Sequence, residues 1–79
     1  MHGLAMTKRQ IEDECRRLAP DFRVGPEVVN GRECIAARCT FGGEDVLVAV
    51  PLGSWGRATV ESTVLNNMLA SLRRRAAKN

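Results

Sequence analysis

The sequence predicts an α+β domain in two layers: a helix, a three-stranded antiparallel meander and a second helix, with both helices on one face of the sheet. Three observations predict it. Asn30-Gly31 and Gly42-Gly43 separate three strand-like runs, and Asn-Gly is the strongest short-range hairpin signal because a type I′ turn needs φ > 0 at both central residues. Pairing back from both turns sorts the apolar residues of all three runs onto one face. The flanking segments carry apolar residues at helical spacing.

The first helix starts at Thr7-Lys8-Arg9-Gln10, which has the form of a capping box: the Thr7 hydroxyl accepts from the Gln10 N–H while the Gln10 side chain reaches back. Ile11, Cys15, Leu18 and Ala19 follow as an apolar stripe. Glu12–Arg16 and Asp13–Arg17 are spaced as i,i+4 ion pairs in the favourable order. Pro20 ends the helix, since the residue before a proline is pushed out of the α region.

A two-residue loop at Asn30-Gly31 places Val29 opposite Arg32, Val28 opposite Glu33, Pro26 opposite Ile35, Val24 opposite Ala37 and Phe22 opposite Cys39. One face then holds Phe22, Val24, Pro26, Val28, Ile35, Ala37 and Cys39, with Glu33 its single charge. The other holds Arg23, Glu27, Val29, Arg32, Cys34, Ala36 and Arg38. Gly25-Pro26 marks an edge strand with room for a bulge, which would shift the register below it. Pairing across Gly42-Gly43 sets Val46, Val48 and Val50 on the same apolar face, and Leu47 and Ala49 on the other. Agreement of two independent turns on one sorting is the strongest argument for the meander.

Pro51 ends the third strand. Leu52-Gly53-Ser54-Trp55-Gly56 is a loop holding the sole tryptophan. It has some flavour of a phosphate-cradling turn before a helix but lacks the P-loop lysine-serine ending, so a connecting role is expected. The last helix starts between Arg57 and Ser62 and buries Val60, Val64, Leu65, Met68, Leu69 and Leu72. Its last turns crowd Arg73, Arg74, Arg75 and Lys78, where cations complement the helix dipole.

At 79 residues the chain is one domain, residues 6–78 after a short tail at 1–5, and sits near the size below which a single core needs staples. A 44% hydrophobic content argues against disorder. The longest apolar stretch, Val46 to Leu52, is far too short to span a membrane. No cationic start precedes an apolar run, so a signal peptide is not expected, and the expected location is cytoplasmic. Cys15, Cys34 and Cys39 are an odd number, which fits reduced thiols acting as small hydrophobes rather than a disulfide scaffold. A disulfide between Cys34 of two copies would need oxidising conditions. Zinc would need three or four ligands, and the other soft ligand is His2 in the tail, so no metal and no cofactor are expected. With His2 the sole histidine and no tyrosine, a nucleophile beside a base is hard to assemble. An enzyme is not expected.

Two surfaces remain as candidate sites. The formal charge of +3 is unevenly placed: residues 1–45 carry seven Lys and Arg against eight acids, and residues 46–79 carry five against Glu61 alone. The cations Arg57, Arg73, Arg74, Arg75 and Lys78 form a candidate site for nucleic acid or an acidic partner, although three aromatic residues offer little base stacking. The second candidate is the other sheet face. Cys34, Ala36, Leu47 and Ala49, with Arg23, Arg32 and Arg38 around them, make it less polar than a solvated face. Apolar surface with a charged rim is characteristic of partner-binding sites. Trp55 either seals the core edge or anchors an interface.

The α-β-β-β-α order resembles the double-stranded RNA-binding domain over most of the chain. Gly25-Pro26-Glu27 resembles the Gly-Pro start of that family's first hairpin loop, and Phe41-Gly42-Gly43 resembles its second turn. That family's histidine and its Lys-Lys-x-Ala-Lys entry to the last helix are replaced here by Glu27-Val28 and Arg57-Ala58-Thr59-Val60-Glu61, so the resemblance implies the layout without the phosphate contacts. In overall build the chain also looks like the small inhibitors of phages and mobile elements known as anti-CRISPR proteins. That resemblance implies a non-enzymatic inhibitor that sterically masks a DNA- or partner-binding surface of a Cas subunit. The alternatives are a small basic nucleic-acid-binding domain and a homodimeric accessory protein, so a monomer and a homodimer both stay open.

Overall fold

A computed structural model describes residues 6–78, and the expected tail at 1–5, with His2, lies outside them. The elements are α1 (Lys8–Leu18), β1 (Arg23–Val29), β2 (Arg32–Phe41), β3 (Glu44–Pro51) and α2 (Arg57–Ala77). The capping box forms: the Gln10 N–H donates to Thr7 Oγ1 at 3.1 Å, and the Thr7 N–H donates to Gln10 Oε1 at 2.8 Å. Two donors of the first turn are thereby satisfied. Of the two expected pairs on α1, Glu12–Arg16 forms at 4.0 Å. Arg17 turns away from Asp13 and grips both carboxylate oxygens of Glu14, at 2.7 and 2.8 Å, because a guanidinium fork fits a carboxylate better with two bonds than one.

Asn30 and Gly31 have φ of 52° and 78°, and Gly42 and Gly43 have φ of 60° and 81°. Both hairpins therefore turn with positive φ at both loop residues, which matches the right-handed twist of the strands. The strand order is β1-β2-β3. The register runs unbroken from Arg23↔Arg38 to Val29↔Arg32 and from Cys34↔Pro51 to Phe41↔Glu44. No bulge interrupts Gly25↔Ala36 or Pro26↔Ile35.

The core lies between the sheet and the two helices. Ile11, Cys15 and Ala19 meet Phe22, Ile35, Ala37, Cys39 and Val46, and α2 closes the layer with Val60, Val64, Leu65, Met68, Leu69 and Leu72. No polar or charged side chain is buried with them among the described residues. Lys8 pairs with Glu61 at 3.0 Å and Glu14 with Arg73 at 3.9 Å, so the two helices run in the same direction, α1 beside α2. The inner face of the sheet carries both helices, and the outer face carries neither.

The inner face is not fully roofed. Pro26 and Val28 were expected in its apolar set, yet Pro26 is exposed and Val28 is 68% exposed. The start of α1 reaches the level of Val24, where Lys8, Glu12, Val24, Glu61 and Leu65 line one cleft. The hairpin end of β1 projects past that point.

Candidate binding surfaces

The outer face is built in rows that the register sets across the three strands. Gly25, Ala36 and Ala49 form a row of small residues. Glu27, Cys34 and Pro51 flank it on one side, and Arg23, Arg38 and Leu47 on the other. One row, that of Gly25, Ala36 and Ala49, separates Arg38 from Glu27, and glycine at position 25 leaves the space between them open. Arg38 lies across that gap: its Nε donates to Glu27 at 3.0 and 3.1 Å, and a terminal nitrogen donates to the same carboxylate. The guanidinium bonding to it holds the Glu27 carboxyl below its usual range, against a smaller opposing effect of burial.

This arch changes what the face offers. Cys34 and Ala36 were expected as contact residues, but each is 3% exposed although no helix covers them. Their side chains are shorter than those of the surrounding rows, which close over them, so they form a floor. The Cys34 thiol donates back to the Arg32 carbonyl at 3.5 Å, and at 3% exposure it presents little surface to a second copy. Ala49 is half-buried, whereas Arg23 and Arg32 are exposed and Leu47 is 45% exposed. The accessible part of the face is thus Leu47 with Arg23, Arg32 and the Glu27–Arg38 pair.

Trp55 is 69% exposed, so it does not seal the core. The Leu52 N–H donates to the Glu33 carbonyl at 3.0 Å, and the Trp55 N–H donates to the Leu52 carbonyl at 3.1 Å. The first bond extends the sheet by one position at the hairpin end, and the second turns the chain and presents the indole. A cleft of about 280 Å³ lies at the same end, lined by Pro26, Glu27, Val28, Glu33, Cys34 and Leu52. Sequence reasoning missed Pro26 and Val28 as surface residues. The available signal was Glu33, which pairs with Val28 and was the one charge on the apolar face.

The cations assigned to the second site are partly neutralised. Arg73 pairs with Glu14 at 3.9 Å, Arg75 with Glu44 at 2.9 Å and Arg57 with Glu61 at 3.7 Å. Among the described residues Arg74 and Lys78 make no ion pair. They line a cleft of about 410 Å³ with Phe41, Gly42, Glu44, Ser71 and Arg75. Arg57 lies at the opposite end of α2 from the other four, so the five cations do not form one patch.

All three thiols are free and buried. Burial pushes the Cys15 thiol up to about 11 and raises Cys39 as well, which keeps both protonated and unreactive near neutrality. Among the described residues no group of three His, Cys, Asp or Glu side chains is placed to hold a metal ion. No described helix is long and apolar enough to cross a membrane. Set beside known proteins, the chain matches no family model, no curated protein and no solved structure.

Proposed function

We propose that this is a non-enzymatic binding protein that masks a surface of a nucleic-acid machine, most concretely as an anti-CRISPR-type inhibitor seated on a Cas subunit. The observation that carries the reading is the outer sheet face, where Leu47 stands exposed among Arg23, Arg32 and the Glu27–Arg38 pair. An apolar centre with a polar rim is the anatomy of a specific protein contact. Trp55, exposed on its loop, supplies an aromatic anchor of the type that dominates interface energetics. Binding of this kind acts by occupancy and uses no cofactor and no membrane. The basic-domain alternative has less support, because three of its five cations already face carboxylates within 4.0 Å.

Phage plaquing on a bacterium with active CRISPR immunity, with and without this chain expressed, tests the proposal. Plaquing of a targeted phage is expected to recover, and Leu47→Asp combined with Arg38→Glu is expected to abolish the recovery while thermal unfolding stays cooperative. Full activity of that double variant would remove the sheet face as the site. A steep, salt-dependent shift of duplex DNA or RNA by the purified protein would favour the nucleic-acid reading instead.

A further inference from the structure

We infer that the outer edge of β3 is a homodimerisation edge, on which a second copy of this chain pairs its own β3 antiparallel to give a continuous six-stranded sheet. The two edges of the sheet differ in where a proline interrupts them. In a two-residue hairpin the pair closing the loop exchanges both hydrogen bonds, and the pairs beyond it alternate. From Val29↔Arg32, that alternation turns the backbone groups of Val24, Pro26 and Val28 outward on β1. Proline has no N–H, so the middle donor of that edge is missing, which is a recognised way to block an edge. From Phe41↔Glu44, the same alternation turns Asp45, Leu47, Ala49 and Pro51 outward on β3. The proline stands at the strand's last position, so the three N–H donors before it form an unbroken row; no bulge interrupts the strand, and no described strand pairs with that edge. The run Val46 to Val50 is apolar throughout, and an edge of that composition is a template for pairing.

The occupant is specified by self-complementarity. With the two-fold axis through Val48, Leu47 of one copy faces Ala49 of the other, Val46 faces Val50, and Asp45 faces Pro51. Every outward donor is then used, for about six backbone hydrogen bonds across the seam. A large side chain meets a small one on the outer face, and no like charges stand opposite each other. Shifting the axis to Leu47 would instead set Asp45 against Ala49 and Glu44 against Val50.

The helix layer also fits. α2 packs on both β2 and β3, so a copy paired on the β3 edge brings its own α2 alongside the first, on the same side of the sheet. The side of α2 toward that seam shares a cleft with Glu44 through Ser71. One and two turns before Ser71 it carries Asn67 and Thr63, which are exposed, short and uncharged, and which allow close approach.

The inference stands apart from the masking reading, and its test reads mass rather than inhibition. Light scattering across a concentration series is expected to give twice the chain mass at high concentration. Leu47→Lys and Ala49→Lys place edge lysines at the seam, and both are expected to return the mass to that of one chain while each variant still unfolds cooperatively in dilute solution. Val48→Cys sits at a non-hydrogen-bonded antiparallel pair, where Cα atoms are about 4.5 Å apart and a disulfide fits. It is expected to cross-link on mild oxidation, whereas Val50→Cys, well away from its own symmetry mate, is not. A monomer at every concentration, a dimer that survives both lysine variants, or cross-linking through position 50 in preference to 48 would each overturn the inference.

Discussion

Leu47 and Leu72 are the same residue in opposite settings, and truncating each to alanine measures whether the outer sheet face is covered. Leu72 is 0% exposed in the core between α2 and the sheet. Leu72→Ala removes its buried methyl groups and leaves a cavity, at a cost of about 2–5 kcal/mol. Leu47 is 45% exposed, and a fully buried leucine side chain contributes about 1.5–3 kcal/mol. About half of that is available to lose, and the alanine methyl retains part, so Leu47→Ala costs at most about 1 kcal/mol. The total for a chain of this size is about 4–12 kcal/mol at 0.05–0.15 kcal/mol per residue, so Leu72→Ala consumes a large share and Leu47→Ala a small one. Urea unfolding followed by circular dichroism reads the difference. With m near 1 kcal/mol/M for a small domain, the midpoint falls by about 2 M or more for Leu72→Ala and by less than about 1 M for Leu47→Ala. The comparison belongs in dilute solution, because a second copy on the β3 edge would add concentration-dependent stability. A loss of about 2 kcal/mol or more for Leu47→Ala in dilute solution would mean that another layer covers the outer face, and would refute the two-layer argument.

Two further outcomes follow from the titrating groups. Asp21 accepts from the Thr40 hydroxyl at 2.7 Å and from the Thr40 N–H at 2.9 Å, which holds its carboxyl below the usual aspartate range. A carboxyl depressed in the folded state adds stability above its unfolded pKa and loses it as pH falls through the folded value, so this contribution is lost as pH falls through the lowered range, and Thr40→Val is expected to flatten that part of the decline in an acid unfolding series. Cys15, Cys34 and Cys39 are 0, 3 and 4% exposed, so a thiol reagent near neutral pH is expected to label none in the native protein and all three in denaturant; fast native labelling of Cys34 would contradict the closed floor of the outer face.

Within the strands the register was legible residue for residue because two glycine-containing pairs fix it; the expected Phe22–Cys39 pair is not part of the ladder, which starts at Arg23↔Arg38. Asn30-Gly31 and Gly42-Gly43 permit the positive φ values that the turns adopt, and once the loop length is two, side-chain alternation does the rest. The helix start at Thr7 was legible for a similar reason, since a capping box is complete within four neighbouring residues. The site was legible as a face and not as an accessible surface. Period-two alternation places Cys34, Ala36, Arg38 and Leu47 on one side, but exposure depends on the relative length of neighbouring side chains and on how they lean. The ion pairs Glu14–Arg73 and Glu44–Arg75 join residues far apart in sequence, and no local pattern announces them. The exposure of Val28 depends on where α1 stops over β1, which neither element's own sequence encodes.

A chain this short has apolar residues for one core layer, and the way it handles the uncovered side of its sheet determines what that side can bind. A third layer is absent from the described residues, yet Ala36 and Cys34 on the central strand are shielded almost as fully as Ile35 and Ala37 beneath the helices. The shielding comes from the face itself: small side chains at Gly25, Ala36 and Ala49 leave a trough, and the aliphatic stem of Arg38 crosses it toward Glu27, with the charged head held at the rim. Removing either partner would open the trough and free a charge at once. The same device leaves the apolar area exposed at one place, Leu47, on the strand whose outer edge is unblocked. Contact with a partner and pairing with a second copy therefore draw on the same strand, and a dimer would bring two such faces into one continuous sheet without covering either.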